Sequence, residues 1–170
     1  MPARRARPPA RPAGGHVTDR GAWANLRAMF VLIVGAGRVG SAVAKSAIAA
    51  GHQVSVLDED PLSHERLDAG QVESWEDVDG MFTVGTALEI EALLQAGIER
   101  AEVFIASTDG DNTNLIIAQI ARQRFGVKTV IARVMDPARA AWYREQGLNT
   151  ISPTEHAIEM FKSALQAEVA

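Results

Sequence analysis

Residues 35–40 have the sequence GAGRVG, which matches the spacing G-x-G-x-x-G of loops that approach a pyrophosphate. The spacing is informative only between a strand and a helix, and here FVLIV precedes it and RVGSAVAKSAIAAG follows it. Gly35 would permit the tight turn, Gly37 would let phosphate approach the backbone, and Gly40 would let helix and strand pack closely. The phosphates would then meet the N–H groups and the positive end of the helix.

A carboxylate suited to a ribose ends the second apolar run, QVSVLD. Asp58 lies 18 residues after Gly40, close to the spacing of about 20 at which an acid meets the ribose. It would accept hydrogen bonds from ribose hydroxyls and repel a 2′-phosphate, so the sequence favours NAD or an adenine nucleotide over NADP. The alternative is that Asp58 only caps the next segment. Arg38 is either a bidentate phosphate ligand or a solvated arginine in the first helical turn.

Further polar residues and glycines follow the third, fourth and fifth predicted strands. The carboxyl ends of parallel strands meet at one crevice, so we expect these residues near the same ligand. The set consists of Gly85, Thr86, Ser107, Thr108, Asp109, Asp111, Asn114 and Arg133. Alternatives remain for three of them: Gly85 as a turn glycine, Asp111 as a helix cap, and Arg133 as the ion-pair partner of Asp109 or Asp111.

The elements that must position these residues alternate regularly between strand and helix. The pattern predicts strands at 30–34, 53–58, 81–84, 102–107, 128–134 and 149–152. Helices are expected at 38–51, 61–68, 87–97, 111–126, 136–147 and 153–170. The polar segment 71–80 is expected to be a loop or the ragged end of the second helix. This alternation predicts an α/β fold: a Rossmann-like, doubly wound, six-stranded parallel sheet with an additional C-terminal helix.

Composition divides the chain into parts. Residues 1–28 contain six arginines and one acid and are rich in proline, so we expect a disordered tail or a mis-assigned start upstream of Met29. An anchor to acidic lipid or nucleic acid is the alternative for this tail. Residues 29–152 would form the nucleotide-binding domain and residues 153–170 a separate helix. The acidic body is a poor partner for nucleic acid, and no apolar run is long enough to span a membrane.

No catalytic or metal site is predicted. The chain has no cysteine, and Tyr143 has Gly147 rather than a lysine four positions later. We expect His52, His64 and His156 on the surface, away from the crevice. No spacing typical of a nucleophile triad or of metal ligands is present. An NAD-dependent oxidoreductase, or the cofactor domain of one, remains the alternative function.

From Met29 onward the chain resembles the N-terminal nucleotide-binding domain, RCK N or TrkA-N, of Trk/Ktr-type potassium-uptake regulators. The matching segments are VLIVGAGRVGSAVA, VLDED, TVGTALEIEALLQAGIERAEVFIASTDGDNTNLIIAQIAR and VIARVMDPARAAWYREQGLNTISPT. The resemblance implies a cytoplasmic regulatory subunit at the inner face of the membrane. Such a subunit would form a homodimer or a ring of dimers, bind NAD(H), ATP, ADP or AMP, and gate a membrane potassium transporter.

The resemblance also implies roles for individual residues. Phosphates would lie at Gly35, Gly37, Arg38, Val39 and Gly40, the adenosine ribose at Asp58, and the nucleotide beside Thr108 and Asn114, with Arg133 near the phosphates. The family usually has Gly-Asp after the third strand, whereas this chain has Gly85-Thr86, which leaves the base preference open.

The last helix of the family crosses to a neighbouring subunit. Here residues 153–170, with Thr154 as the expected cap, have an apolar stripe at three- and four-residue spacing. Its members are Ala157, Ile158, Phe161, Ala164 and Leu165. The alternative is that this helix folds back on its own sheet.

Overall fold

The computed structural model describes residues 27–169, with side chains to residue 167. The strands are β1 (Phe30–Val34), β2 (Gln53–Asp58), β3 (Met81–Val84), β4 (Val103–Ala106), β5 (Thr129–Arg133) and β6 (Asn149–Ile151). The helices are α1 (Arg38–Ala49), α2 (His64–Asp68), α3 (Ile90–Gln95), α4 (Asp111–Gln123), α5 (Pro137–Glu145) and α6 (Pro153–Val169), with 3₁₀ turns at Pro61–Ser63 and Ile98–Arg100. The predicted tail lies outside the described residues apart from residues 27 and 28.

All six strands are parallel and lie in the order β3-β2-β1-β4-β5-β6. The order reverses between β1 and β4, which is the position where doubly wound sheets open a crevice at the carboxyl ends of their strands. The predicted fold class is therefore confirmed. None of the described helices is long and apolar enough to cross a membrane.

The two faces of the sheet bury alternate residues of β1. Leu32 and Val34 lie in a core cluster with residues from α3, α4 and β5, whereas Val31 and Ile33 lie in a second cluster with α1 and β2. Because both faces are covered, β1 is apolar along its whole length, as its sequence FVLIV indicates.

The loop at 71–80 contributes a core residue that its polar sequence conceals. Trp75 is only 2% exposed and packs in the same cluster as Leu67. Its backbone N–H donates to Asp68 Oδ1 at 2.8 Å, and Gly80 N donates to Trp75 O at 2.9 Å. A Cβ at Gly80 would lie 2.3 Å from the indole ring, so this glycine makes room for the tryptophan. The loop is therefore anchored to the domain.

Two local predictions were wrong: the capping residue of the last helix and the first residue of the third helix. The cap of α6 is Ser152, not Thr154, since Ser152 Oγ accepts from Glu155 N at 3.2 Å and Pro153 occupies the first helical position. The helix predicted at 87–97 begins only at Ile90, because residues 86–89 form a turn closed by the Glu89 N–H to Thr86 O bond.

The prediction that His52 lies on the surface was also wrong. The structure buries it, with 9% of its area exposed, and Met29 N donates to His52 Nδ1 at 3.3 Å. This histidine therefore contributes to packing below β1, at the end of the sheet opposite the crevice.

Candidate functional site

A cleft of about 750 Å³ opens at the carboxyl ends of β1, β2 and β4. This volume falls within the range of small-molecule sites, about 300–1,000 Å³. The predicted site residues that line it are Gly35, Gly37, Arg38, Asp58, Gly85, Thr86 and Thr108. Val39, Gly40, Asn114 and Arg133 do not line it, so any role of these four in the site would involve backbone groups or support of neighbouring residues.

Gly35 and Gly40 are required by the backbone itself. Gly35 has φ +97°, and a Cβ there would lie 2.8 Å from the backbone of Ser107 and Thr108. A Cβ at Gly40 would lie 1.8 Å from Gly35 O, so α1 packs directly on the loop after β1. Ser107 Oγ completes this junction by donating to Val34 O at 3.2 Å and Gly35 O at 3.0 Å. These two glycines shape the loop.

Gly37 differs from Gly35 and Gly40. A Cβ added at Gly37 would have no atom within 4 Å apart from those of its immediate neighbours in the chain. It lines the cleft and directly precedes α1, whose first turn contains no acidic side chain. The first N–H groups of a helix have no partner within the helix and carry its positive end. The open space at Gly37 is therefore suited to an anionic group.

Asp58 faces the cleft and also holds its walls together. Its Oδ2 accepts from Ala36 N at 2.6 Å and its Oδ1 from Asp60 N at 2.9 Å. Asp58 therefore does accept hydrogen bonds from the backbone, as the alternative of a structural cap predicts. These bonds do not exclude ribose binding, because each carboxylate oxygen has a second lone pair.

Asn114 is fully buried and its amide is fully occupied by backbone and hydroxyl partners. Its Oδ1 accepts from Thr108 N at 2.9 Å and Thr108 Oγ1 at 2.7 Å, and its Nδ2 donates to Thr108 O and Arg133 O at 2.9 and 3.0 Å. Asn114 therefore fixes Thr108, which does line the cleft, relative to β5.

The structure shows which contacts Arg133 and Asp111 make within the chain. Arg133 Nη2 lies 2.9 Å from Asp109 Oδ1 and also donates to Thr108 O. Asp111 is the first residue of α4 rather than its cap, which is Gly110. The Asp111 carboxylate instead accepts from Met135 N at 2.7 Å and Asp136 N at 3.1 Å. Arg133 and Asp111 therefore each link the segment after β4 to the end of β5 or to the segment that follows it.

Charge in the cleft is mixed. The lining carboxylates are Asp58, Glu59, Asp60 and Asp109, and the lining cations are Arg38 and Arg66. Within the described part of the chain the Arg38 side chain is exposed and its guanidinium makes no hydrogen bond or ion pair, whereas Arg66 donates to Ser63 Oγ at 2.7 Å. Our sequence interpretation missed Ser63 and Arg66. The signal was the predicted helix at 61–68, which begins directly after β2.

The candidate proton donors lie elsewhere. His52, His64, His156 and Tyr143 are all absent from the residues that line the cleft. The arrangement contains an open glycine loop, a helix N-terminus, a ribose-competent carboxylate and a free arginine. These are groups that can bind phosphate and ribose.

The strand order and the glycine loop define a Rossmann-type α/β domain with a nucleotide-sized cleft. The TrkA-N domain family model matches residues 31–153. The chain belongs to this family.

Related proteins agree with this assignment. Over 124 residues the chain is 41% identical to the Trk system potassium uptake protein TrkA of Streptomyces coelicolor. The aligned region covers 73% of this chain and 52% of that protein. The chain spans about half the length of the curated relatives that it matches.

Among solved structures, the AMP-bound Kef CTD of Shewanella denitrificans superposes with a TM-score of 0.64 at 24% identity, covering 81% of this chain and 80% of that one. The GsuK channel bound to NAD superposes with a TM-score of 0.66 at 21% identity, covering 82% of this chain and 24% of that one. These similarities show the fold.

Proposed function

We propose that the chain is the nucleotide-sensing domain of a cytoplasmic regulatory subunit in a Trk/Ktr-type potassium uptake system. It would bind NAD(H) or an adenine nucleotide in the cleft and thereby gate a membrane transporter at whose inner face it lies. The observation that carries the proposal is the unfilled space at Gly37, between the N-terminus of α1 and the Asp58 carboxylate.

The nucleotide would lie across the glycine loop. Its phosphates would accept from the first N–H groups of α1, at Arg38, Val39 and Gly40, and from the Arg38 guanidinium. The adenosine ribose would donate to Asp58. The phosphates would then lie at the end of β1 and the ribose at the end of β2.

The base would lie toward the end of β3. Thr86 lines the cleft there and offers a hydroxyl where the family usually has a carboxylate. Gly85 is required by packing, since a Cβ would lie 2.9 Å from Ala92 Cβ. We therefore expect adenine to be recognised here by a neutral hydroxyl group.

The names of related proteins support the same proposal. The Streptomyces relative is a Trk system potassium uptake protein, and the two structural neighbours contain AMP and NAD. AMP and NAD both contain adenosine and phosphate. These are the portions of a ligand that we propose the cleft binds.

Rubidium uptake by cells of the source organism tests the regulatory role. We expect Asp58→Ala in the chromosomal copy to alter the initial uptake rate, because the domain would no longer respond to its nucleotide. Glu59→Ala is the matched control, since Glu59 is the adjacent exposed acid in the cleft. Unchanged uptake by an Asp58→Ala strain whose purified protein has lost nucleotide binding would separate binding from transport and refute the regulatory role.

We further propose that α6 mediates a two-fold symmetric dimer or a ring of dimers. The apolar stripe does not fold back on the sheet: Ile158 is 43%, Phe161 77% and Leu165 68% exposed. Each large side chain of the stripe would gain about 1.5–3 kcal/mol from burial against a partner.

Phe161→Asp is expected to convert the assembly to monomers, because a carboxylate would be buried in the apolar interface. Light scattering on the intact chain would measure the mass. Gln166→Asp is the control, since residue 166 lies on the opposite side of α6 from the stripe. A monomeric wild-type chain at micromolar concentration, or an unchanged mass for Phe161→Asp, contradicts the proposed interface.

A further inference from the structure

A histidine and two carboxylates converge outside the cleft, where α2 meets the loop at 71–80. His64 Nε2 lies 2.6 Å from Glu76 Oε1, and His64 Nδ1 lies 3.3 Å from Asp68 Oδ2. One potential ligand atom from each of the three residues lies within 4.8 Å of the other two. The sequence spacing did not predict this cluster, because Glu76 belongs to a loop and approaches only after the chain folds.

Two of the three side chains, His64 and Asp68, are held in place by contacts outside the cluster. His64 and Asp68 are one helical turn apart and therefore share a face of α2. Asp68 Oδ1 accepts from Trp75 N at 2.8 Å, and the buried Trp75 directly precedes Glu76. The His64 ring packs edge-on against Phe82, with ring centroids 5.3 Å apart. The imidazole is thus oriented before any ligand arrives.

The two carboxylates that flank one imidazole favour a cation. A neutral imidazole has one N–H donor and one acceptor nitrogen, whereas an ionised carboxylate only accepts. The contact between Nε2 and Glu76 has hydrogen-bond geometry, and Asp68 lies at ion-pair distance from Nδ1. When a metal ion takes the place of a proton on Nε2, the imidazole carries its proton on Nδ1, beside Asp68.

We propose that His64 Nε2 and Glu76 bind a divalent first-row transition metal ion, with Zn²⁺ as the representative case. Imidazole and carboxylate are ordinary ligands for such ions. Asp68 is the positioning residue: it accepts from Nδ1–H and fixes the tautomer, as carboxylates behind metal-bound histidines do. Water completes the coordination.

The site closes with a small movement of one side chain. Metal–ligand distances of about 2.1 Å place two ligands of a tetrahedral ion about 3.4 Å apart. Glu76 must therefore withdraw from His64 by a little under one ångström. Its side chain is 60% exposed and free to do so, whereas His64 stays fixed against Phe82.

Calorimetric titration of ZnCl₂ into the chelator-treated full chain, purified without a histidine tag, tests the site. We expect one Zn²⁺ per chain at this site. His64→Ala and Glu76→Gln should each weaken binding at least about tenfold, and Asp68→Asn by about 10- to 100-fold. His156→Ala is the control, because the ring of this exposed histidine of α6 contacts Ser152 O and no carboxylate among the described residues.

Two features make the result decisive. Glu76 is exposed and glutamine has the same size as glutamate, so we expect Glu76→Gln to fold. The test therefore does not depend on whether His64→Ala folds. The ¹⁵N resonance of His64 Nε2 in the wild type should shift on addition of Zn²⁺, which a purely structural role would not produce. Absence of zinc binding by the wild type, or equal binding by all the variants, would show an ion pair only and overturn the proposal.

Discussion

Gly40→Ala is expected to destabilise the domain by about 3 kcal/mol or more, at the upper end of the cost of overpacking. The new Cβ would lie 1.8 Å from Gly35 O and 2.7 Å from Ser107 Oγ. The nearer obstacle is backbone in a loop whose own φ is +97°, so relief requires α1 to move away from β1. This loss is a large fraction of the 5–15 kcal/mol typical of a folded domain. Urea unfolding followed by circular dichroism measures it.

Gly37→Ala is the matched control for that experiment. It lies three residues earlier, at the N-cap of α1, yet its Cβ would meet no atom within 4 Å. We expect it to change the free energy of unfolding by less than about 1 kcal/mol, the usual scale at a helix N-cap. Equal stabilities for Gly40→Ala and Gly37→Ala would show that the junction between α1 and β1 is not tightly packed.

Asp58→Ala is expected to weaken nucleotide binding by about 1–3 kcal/mol, which corresponds to about a five- to 150-fold loss of affinity. The variant removes the acceptor for the ribose hydroxyls and also releases Ala36 N, whose bond to Asp58 Oδ2 holds the glycine loop. Thermal unfolding of the same sample separates the loss of binding from a loss of folding.

Asp58→Asn isolates the charge of this side chain. The amide retains one oxygen as an acceptor but no longer repels a 2′-phosphate. We therefore expect NADP to bind the wild type more weakly than NAD, and Asp58→Asn to narrow that difference. Equal affinities of the wild type for NAD and NADP would contradict the assignment of Asp58 to the ribose.

The fold was predictable from the sequence because its signals are local. Each buried strand of the parallel sheet is a short apolar run, and each helix has a recognisable beginning or end, such as Asp136 and Pro137 before α5. The glycine spacing and Asp58 likewise lie within one β-α-β unit. These residues were found because their spacing alone indicates their place.

The remaining features depend on long-range contacts. Trp75 lies in a polar segment without periodicity, and only the folded chain shows that the core cluster around Leu67 accepts it. Asn114 was expected to face the nucleotide, yet its four hydrogen bonds go to Thr108 and Arg133. A sequence pattern can place a side chain at a strand end but cannot indicate which partner it selects there.

Calorimetric titration of ADP and of NADH into the intact chain tests whether the cleft binds a nucleotide. We expect saturable binding of one nucleotide per chain, weakened by Asp58→Ala and retained by Glu59→Ala. Gly37→Ala should also lose affinity, because its methyl group would fill the space assigned to phosphate, while its free energy of unfolding stays within about 1 kcal/mol of the wild-type value. Absence of binding for both ligands at millimolar concentration, or affinities unchanged in both Asp58→Ala and Gly37→Ala, would contradict it.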